Sequence, residues 1–320
     1  MDEPTTRTAL VTGASRGLGL LVARELARRG YSLVLCARTA EDLYAARDDL
    51  VARGADLLAV PCDVRNAQEV EHLVARAIGH RGGLDVVVNV AGVIQVGPLE
   101  SVTVEEFRDA LETMCLGPVR VTLAALPHLR ERRSGRIVNV TSIGGKVAVP
   151  HILPYSVAKF GAVGFSEGLR AELAGSGISV TTVVPGLMRT GSHVRASFAG
   201  QSTKEYGWFS AAASAPLLSM DAERAARRIV AAGLAGRAEV TLTPAAILGA
   251  RVAALMPGTT SRLLGLVRPL LPGPPADPGK AGIEPGHRAQ ERTDSRVLRR
   301  LTTMGRSAAR RFNQRRATST

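Results

Sequence analysis

The sequence predicts an α/β fold: one doubly wound, mostly parallel sheet with helices on both faces, followed by a C-terminal extension. Three observations predict it. Short strand-like runs alternate with longer helical ones up to about residue 242, the pattern of crossover units laid over a parallel sheet. Several of the strand-like runs are almost continuously apolar, as strands covered on both faces must be. The first run also ends in a glycine-rich turn that opens directly into a helix.

Thr8-Ala9-Leu10-Val11-Thr12 is the first expected strand, and Gly13-Ala14-Ser15-Arg16-Gly17-Leu18-Gly19 is the turn. The helical pattern Leu20–Arg29 follows and stops at Gly30. Later strands are expected at Ser32–Cys36, Leu57–Cys62, Val86–Val90, Arg136–Thr141, Val180–Pro185 and Glu239–Leu242. Helices are expected at Glu41–Arg53, Asn66–Ile78, Glu105–Leu129, Tyr155–Ala174 and Asp221–Ala232. A turn of this kind lets backbone approach a pyrophosphate, which rests on the outward N–H groups of the helix N-terminus. The spacing is Gly-x-x-x-Gly-x-Gly, so it differs from the Gly-x-Gly-x-x-Gly dinucleotide fingerprint.

The 320 residues suffice for one large domain plus an extension, and 45% hydrophobic content supplies its core. Cys36, Cys62 and Cys115 are scattered, with neither metal-ligand spacing nor a disulfide framework. A reducing cytoplasm is therefore expected, and no metal. The acidic start Met1-Asp2-Glu3-Pro4 does not read as a signal peptide, and no apolar run reaches the ~18 residues of a membrane span.

Tyr155 and Lys159 are four apart and share one helix face. An ammonium beside a phenol favours the phenolate, so Tyr155 is expected to have a lowered pKa and to act as general acid or base. Ser142 ends the strand-like run Ile137–Thr141 and can hydrogen-bond the same substrate oxygen.

In order and spacing, Thr12-Gly13-x-x-x-Gly17-x-Gly19, Asp63-Val64, Asn89-Val90-Ala91-Gly92, Ser142, Tyr155-x-x-x-Lys159 and Pro185-Gly186-x-x-x-Thr190 resemble the short-chain dehydrogenase/reductase family. The resemblance covers about residues 7–242 and implies a Rossmann-like fold. It also implies an oxidoreductase that interconverts a carbonyl and a secondary alcohol, with Ser142, Tyr155 and Lys159 as catalytic residues. It places the cofactor against Gly13, Ser15, Arg16, Gly17, Leu18 and Gly19. Asp63 and Val64 are implied at the adenine, Asn89, Ala91 and Gly92 along the fourth strand and ribose, and Pro185, Gly186 and Thr190 at the nicotinamide carboxamide. Tyr155 and Lys159 border the nicotinamide ribose in the same scheme. Family members associate as homodimers or homotetramers through the helices here read as Glu105–Leu129 and Tyr155–Ala174, which offer Val119, Leu123, Ala162 and Leu169.

The second strand ends Cys36-Ala37-Arg38, without the acidic residue that usually holds the ribose hydroxyls of NAD. Arg38 and Arg16 suit a 2′-phosphate, so the expected cofactor is NADP (NADPH). One departure bears on turnover. The position where the family carries a catalytic asparagine holds Met114, whose thioether is a weak acceptor and no donor. Thr113 or solvent is left to serve the proton relay. An NADP-binding sensor or scaffold with little turnover is the alternative reading that this departure motivates.

The segment Gly191–Ser219 carries Phe198, Tyr206, Trp208 and Phe209 and reads either as an apolar lid over a lipophilic carbonyl or alcohol substrate, or as a loop packed onto the body. His151 and Gln95 are further candidates for the substrate wall. Residues 1–243 are read as the catalytic domain, 244–272 as an apolar extension, and 273–320 as a basic tail, disordered or only partly helical, behind a Pro/Gly linker. The extension suggests weak peripheral contact with anionic membrane as the sharper of two readings, the other being cover for the domain. Lys280–Thr320 carries eleven Lys/Arg against three Asp/Glu. It lacks aromatic interleaving beyond Phe312, so nucleic acid is not the expected partner and no role in chemistry is assigned to it.

Overall fold

A computed structural model describes residues 7–215, 219–275, 283–293, 298 and 302–314. Seven strands, β1 (Thr8–Thr12), β2 (Ser32–Ala37), β3 (Leu57–Pro61), β4 (Val86–Asn89), β5 (Gly135–Val140), β6 (Ile178–Val184) and β7 (Glu239–Thr241), form one sheet in the order β3-β2-β1-β4-β5-β6-β7. Every pairing in it is parallel. Successive residues face opposite sides, which is why these strands are apolar throughout. Ala9 and Val11 of β1 enter one core and Leu10 the other.

The first core is closed by α1 (Gly17–Arg28), α2 (Ala40–Val51) and α8 (Ala222–Leu234), through Leu21, Leu26, Leu43, Leu50 and Ile229. The second is closed by α3 (Ala67–His80) and α5 (Gly117–Glu131), through Val70, Leu73, Val121 and Leu129. The chain reverses its winding direction between β1 and β4, which opens a crevice at the carboxyl ends of these strands.

One expectation is corrected. The helix expected at Glu105–Leu129 is divided into α4 (Val104–Leu111), a π turn at Glu112–Leu116, and α5. Pro118 has no N–H to return to the carbonyl of Met114, and the Gly117 N–H reaches five residues back to Glu112 instead. In the tail, the described residues form the partly helical alternative and not the disordered one. Glu284–Pro285 pairs antiparallel with Ser197–Phe198, and α11 (Gly286–Glu291) follows. The last helix, α12 (Thr303–Arg311), puts Ala308 and Phe312 into the first core. The tail's average charge conceals this small apolar stripe. Residues 276–282, most of 294–301 and 315–320 lie outside the described residues.

The extension forms a hairpin of α9 (Pro244–Leu255) and α10 (Pro257–Val267), which leaves Leu248, Leu255, Leu263 and Leu266 exposed. Among the described residues no helix is long and apolar enough to cross a membrane.

Candidate active site

Every catalytic and cofactor residue assigned from the sequence, except Asn89, lines one cleft of about 440 Å³ at the carboxyl end of the sheet. The glycine turn forms its floor. Gly13 has φ +66°, and a Cβ on it would lie 2.7 Å from the Ala91 Cα. A Cβ on Gly19 would sit 2.1 Å from the Gly13 carbonyl oxygen, so turn and helix close on each other only without side chains. The Thr12 hydroxyl accepts from the N–H groups of Val90 and Ala91 at 3.1 and 3.3 Å and fixes the neighbouring segment.

Asn89 faces inward. Its amide donates to Asn139 at 2.9 Å, Asn139 donates to Ser166 at 3.1 Å, and Ser166 bonds Thr182 at 2.7 Å. This buried polar ladder crosses β4, β5, α6 (Leu153–Glu172) and β6, and it supports the crevice from behind. Asn89 thus stabilises the fourth strand from behind, and Ala91 and Gly92 of the same segment line the cleft.

The end of the cleft below β2 is basic. Arg16 donates to Asp42 at 2.6 Å, and Arg195 reaches the other oxygen of the same carboxylate at 3.4 Å. Burial, with Arg195 and Arg38 nearby, lowers the Arg16 guanidinium from its ordinary pKa. Two arginines thus share one carboxylate, and Arg38 lines the cleft beside them. Sequence spacing gave no hint of Arg195, which comes from the opposite side of the cleft. Asp63 also lines the wall, where Arg65 grips its carboxylate at 2.6 Å. Burial opposes ionisation of Asp63, but the Arg65 hydrogen bonds prevail and its pKa is lowered.

The catalytic candidates meet at the other end. Ser142 follows β5, and its hydroxyl accepts from the Gly144 N–H at 3.0 Å; a Cβ on Gly144 would lie 3.5 Å from that hydroxyl and 3.0 Å from the Tyr155 ring, so the two side chains flank one glycine. α6 begins at Leu153 with Pro154 in its first turn, which presents Tyr155 and, one turn on, Lys159. The Lys159 ammonium donates to the Val140 carbonyl at 2.9 Å and lies 5.8 Å from the Tyr155 ring centroid. Burial lowers the Lys159 pKa to about 8. Burial also raises that of Tyr155, with the Ser142 hydrogen bond acting against it. The expected lowering of the tyrosine pKa is thus corrected: desolvation outweighs a lysine that hydrogen-bonds backbone instead of the phenol.

Met114 is buried and packs with Ala110, Ala158, Val93 and Tyr155. Thr113, its neighbour in the π turn, lines the cleft, and its buried hydroxyl has no hydrogen-bond partner among the described residues. Gln95 lines the cleft and donates to Asp109 at 3.3 Å. The aromatic lid is corrected. Phe198, Tyr206 and Phe209 are buried in their own cluster with Trp208 packed against it, and none of the four lines the cleft. His151 lies outside it as well, paired with the buried Glu205 at 2.9 Å.

Residues 7–198 match the family described as short chain dehydrogenase. The chain belongs to the short-chain dehydrogenase/reductase family. A Streptomyces coelicolor protein provisionally named ketoacyl reductase is 41% identical over 192 residues, 59% of this chain and 74% of that protein. A crystal structure of a short-chain dehydrogenase from Streptomyces avermitilis is 31% identical, with a TM-score of 0.71 over 84% of this chain and 98% of its own. An actinorhodin polyketide ketoreductase variant with NADPH is 35% identical, with a TM-score of 0.59 over 82% and 94%. As a short-chain dehydrogenase/reductase the protein is an oxidoreductase. Its cleft fits a phosphorylated dinucleotide, because the glycine cradle admits backbone approach and Arg16, Arg38 and Arg195 make one end of it basic.

Proposed function

We propose that this enzyme is an NADP(H)-dependent ketoreductase that interconverts a carbonyl and a secondary alcohol. The observation that carries the proposal is the convergence of Ser142, Tyr155 and Lys159, the last two one helical turn apart, in the same cleft as the glycine cradle and the arginines. Leu18 and Gly19 hold the pyrophosphate at the N-terminus of α1, Gly17 shapes the turn beside it, and Arg16 and Arg38 hold the 2′-phosphate. Pro185, Gly186 and Thr190 border the nicotinamide, and Lys159 its ribose. Bound NADPH supplies a hydride. Ser142 orients the substrate carbonyl oxygen, and Tyr155, protonated at neutral pH, donates its proton to that oxygen. Lys159 holds positive charge beside the phenolate left behind. Oxidation reverses each transfer.

The wall packed on Tyr155 includes Val93 and Met114, which suits an apolar acyl or alkyl substituent beside the carbonyl. Together with the ketoacyl and polyketide ketoreductase relatives, this favours a β-ketoacyl thioester or a related lipophilic ketone. A sensor without turnover would leave the assembled Ser142, Tyr155 and Lys159 without a use. We also place a homo-oligomer interface on α5 and α6, where Leu123, Val157 and Phe160 stand exposed. Ala162, expected on that face from the sequence, is buried within the chain. The test is NADPH and NADH oxidation against a panel of β-ketoacyl thioesters and simple ketones. Turnover that prefers NADPH supports the proposal, and the absence of turnover with all of them removes it.

A further inference from the structure

We infer that the C-terminal segment 302–314 completes the cofactor site, clasping the glycine turn from outside and bringing Gln314 to the phosphates of the bound dinucleotide. The inference rests on the NADP(H) reading of the cleft. It concerns residues well beyond the stretch 7–198 that matches the family.

The segment is anchored before it reaches the cleft. Arg311 pairs with Glu223 of α8 at 2.8 Å, and Phe312, 3% exposed, is buried in the core that also holds Leu18 and Leu21. Ala309 packs so closely over Gly191 that a Cβ there would lie 2.4 Å from its Cα, and Gly191 has φ +75°. Three hydrogen bonds then join the segment to the site, two to the turn itself and one to α2. The Phe312 carbonyl accepts from the Gly17 N–H at 2.8 Å. The Asn313 amide donates to the carbonyls of Ser15 at 2.8 Å and Asp42 at 3.2 Å, which ties the turn to α2. Asn313 has φ +54°, a left-handed conformation that asparagine tolerates better than most residues.

Gln314 follows. Arg195 donates to its carbonyl at 2.8 Å. Its side chain, 5% exposed, lines the cleft, and a Cβ on Gly17 would lie 2.5 Å from its amide nitrogen and 4.0 Å from the Thr190 Cβ. The amide therefore stands at the N-terminus of α1, on the side of the turn that faces Thr190.

The first N–H groups of a helix have no acceptor within it. The Phe312 carbonyl takes that of Gly17 and leaves those of Leu18 and Gly19 for an anion. The segment thus narrows the anion site without filling it. A primary amide adds two donors and no charge, so Gln314 can bond phosphate oxygens between Arg16 and Arg195 without repelling them.

The test uses the full chain. NADPH binding is titrated by nicotinamide fluorescence, and dissociation is followed by displacement, for wild type, Gln314→Ala, Gln314→Glu and Asn313→Ala. Gln314→Ala is expected to weaken NADPH about tenfold, the usual scale for losing a hydrogen bond to a charged group, with faster dissociation. Gln314→Glu is expected to weaken it further, because a carboxylate repels the phosphates. The thermal midpoint of the cofactor-free Gln314→Ala protein should match wild type, while the rise produced by NADPH shrinks. Unchanged or tighter NADPH binding in both Gln314 variants overturns the inference and leaves the NADP(H) reading standing. If the wild-type chain fails to bind NADPH at all, that reading falls and takes this one with it.

Discussion

The Lys159 ammonium donates its hydrogen bond to the Val140 carbonyl at 2.9 Å, across the carboxyl end of β5, and not to the Tyr155 phenol one turn away. Lysine and tyrosine therefore share no direct hydrogen bond, and burial holds the ammonium at a pKa of about 8. Its charge is present below that value and is lost as pH rises through it. Because kcat/KM reports groups of the free enzyme, kcat/KM for NADPH is expected to be level towards neutral pH and to fall above about 8. Lys159→Met should lower the whole profile and abolish that inflection. A wild-type profile without a descent near 8 would detach Lys159 from cofactor capture.

Arg38 is the arginine of the basic end that stands exposed beside β2, whereas Arg16 and Arg195 both lean on Asp42. Arg38→Asp should weaken NADPH binding by about tenfold or more and narrow or reverse the preference over NADH, since a carboxylate repels a 2′-phosphate and accepts from a free hydroxyl. Parallel titrations of the two cofactors measure the ratio, and an unchanged ratio removes Arg38 from cofactor selection.

Met114 stands where an asparagine is expected, and the unpartnered Thr113 hydroxyl lines the cleft beside it. If Thr113 carries part of the proton relay, Thr113→Val lowers kcat severalfold with little change in the KM for NADPH. The same change in Met114→Asn should cost less, because the new amide takes over the relay. Equal kcat for wild type and Thr113→Val would show that solvent alone suffices.

Leu123 is 55% exposed on α5, and Phe160 is 45% exposed on α6. An apolar face of this kind needs a partner. Leu123→Glu combined with Phe160→Glu should shift the protein towards monomer in light scattering at micromolar concentration. A wild-type monomer under those conditions contradicts the interface.

The sheet was legible because each strand is apolar on both faces, and the cleft because backbone geometry demands glycine at Gly13 and Gly19 while the chemistry demands Ser142, Tyr155 and Lys159. What escaped the sequence depends on long-range placement. Nothing near Asn89 announces its inward ladder to Asn139, Ser166 and Thr182, strands apart in the chain. The π turn at Glu112–Leu116 was hidden because its cause, Pro118, reads equally well as the first turn of a helix. The aromatics from Phe198 to Phe209 are frequent enough to suggest a lid, but edge-on ring packing with centroids 5.5–6.0 Å apart turns them into a local core. Net charge described the tail as solvated, although Phe312 and two alanines suffice to dock it.

The central claim is that Tyr155 transfers the proton in an NADPH-dependent carbonyl reduction, and Tyr155→Phe tests it most directly. The phenyl ring preserves packing against Met114 and Val93 and removes only the hydroxyl. With the best substrate of the panel, kcat should fall by about 10²–10⁴-fold, while the Kd for NADPH from fluorescence titration stays within a few-fold of wild type. Near-wild-type turnover by Tyr155→Phe, with NADPH bound normally, would contradict the account.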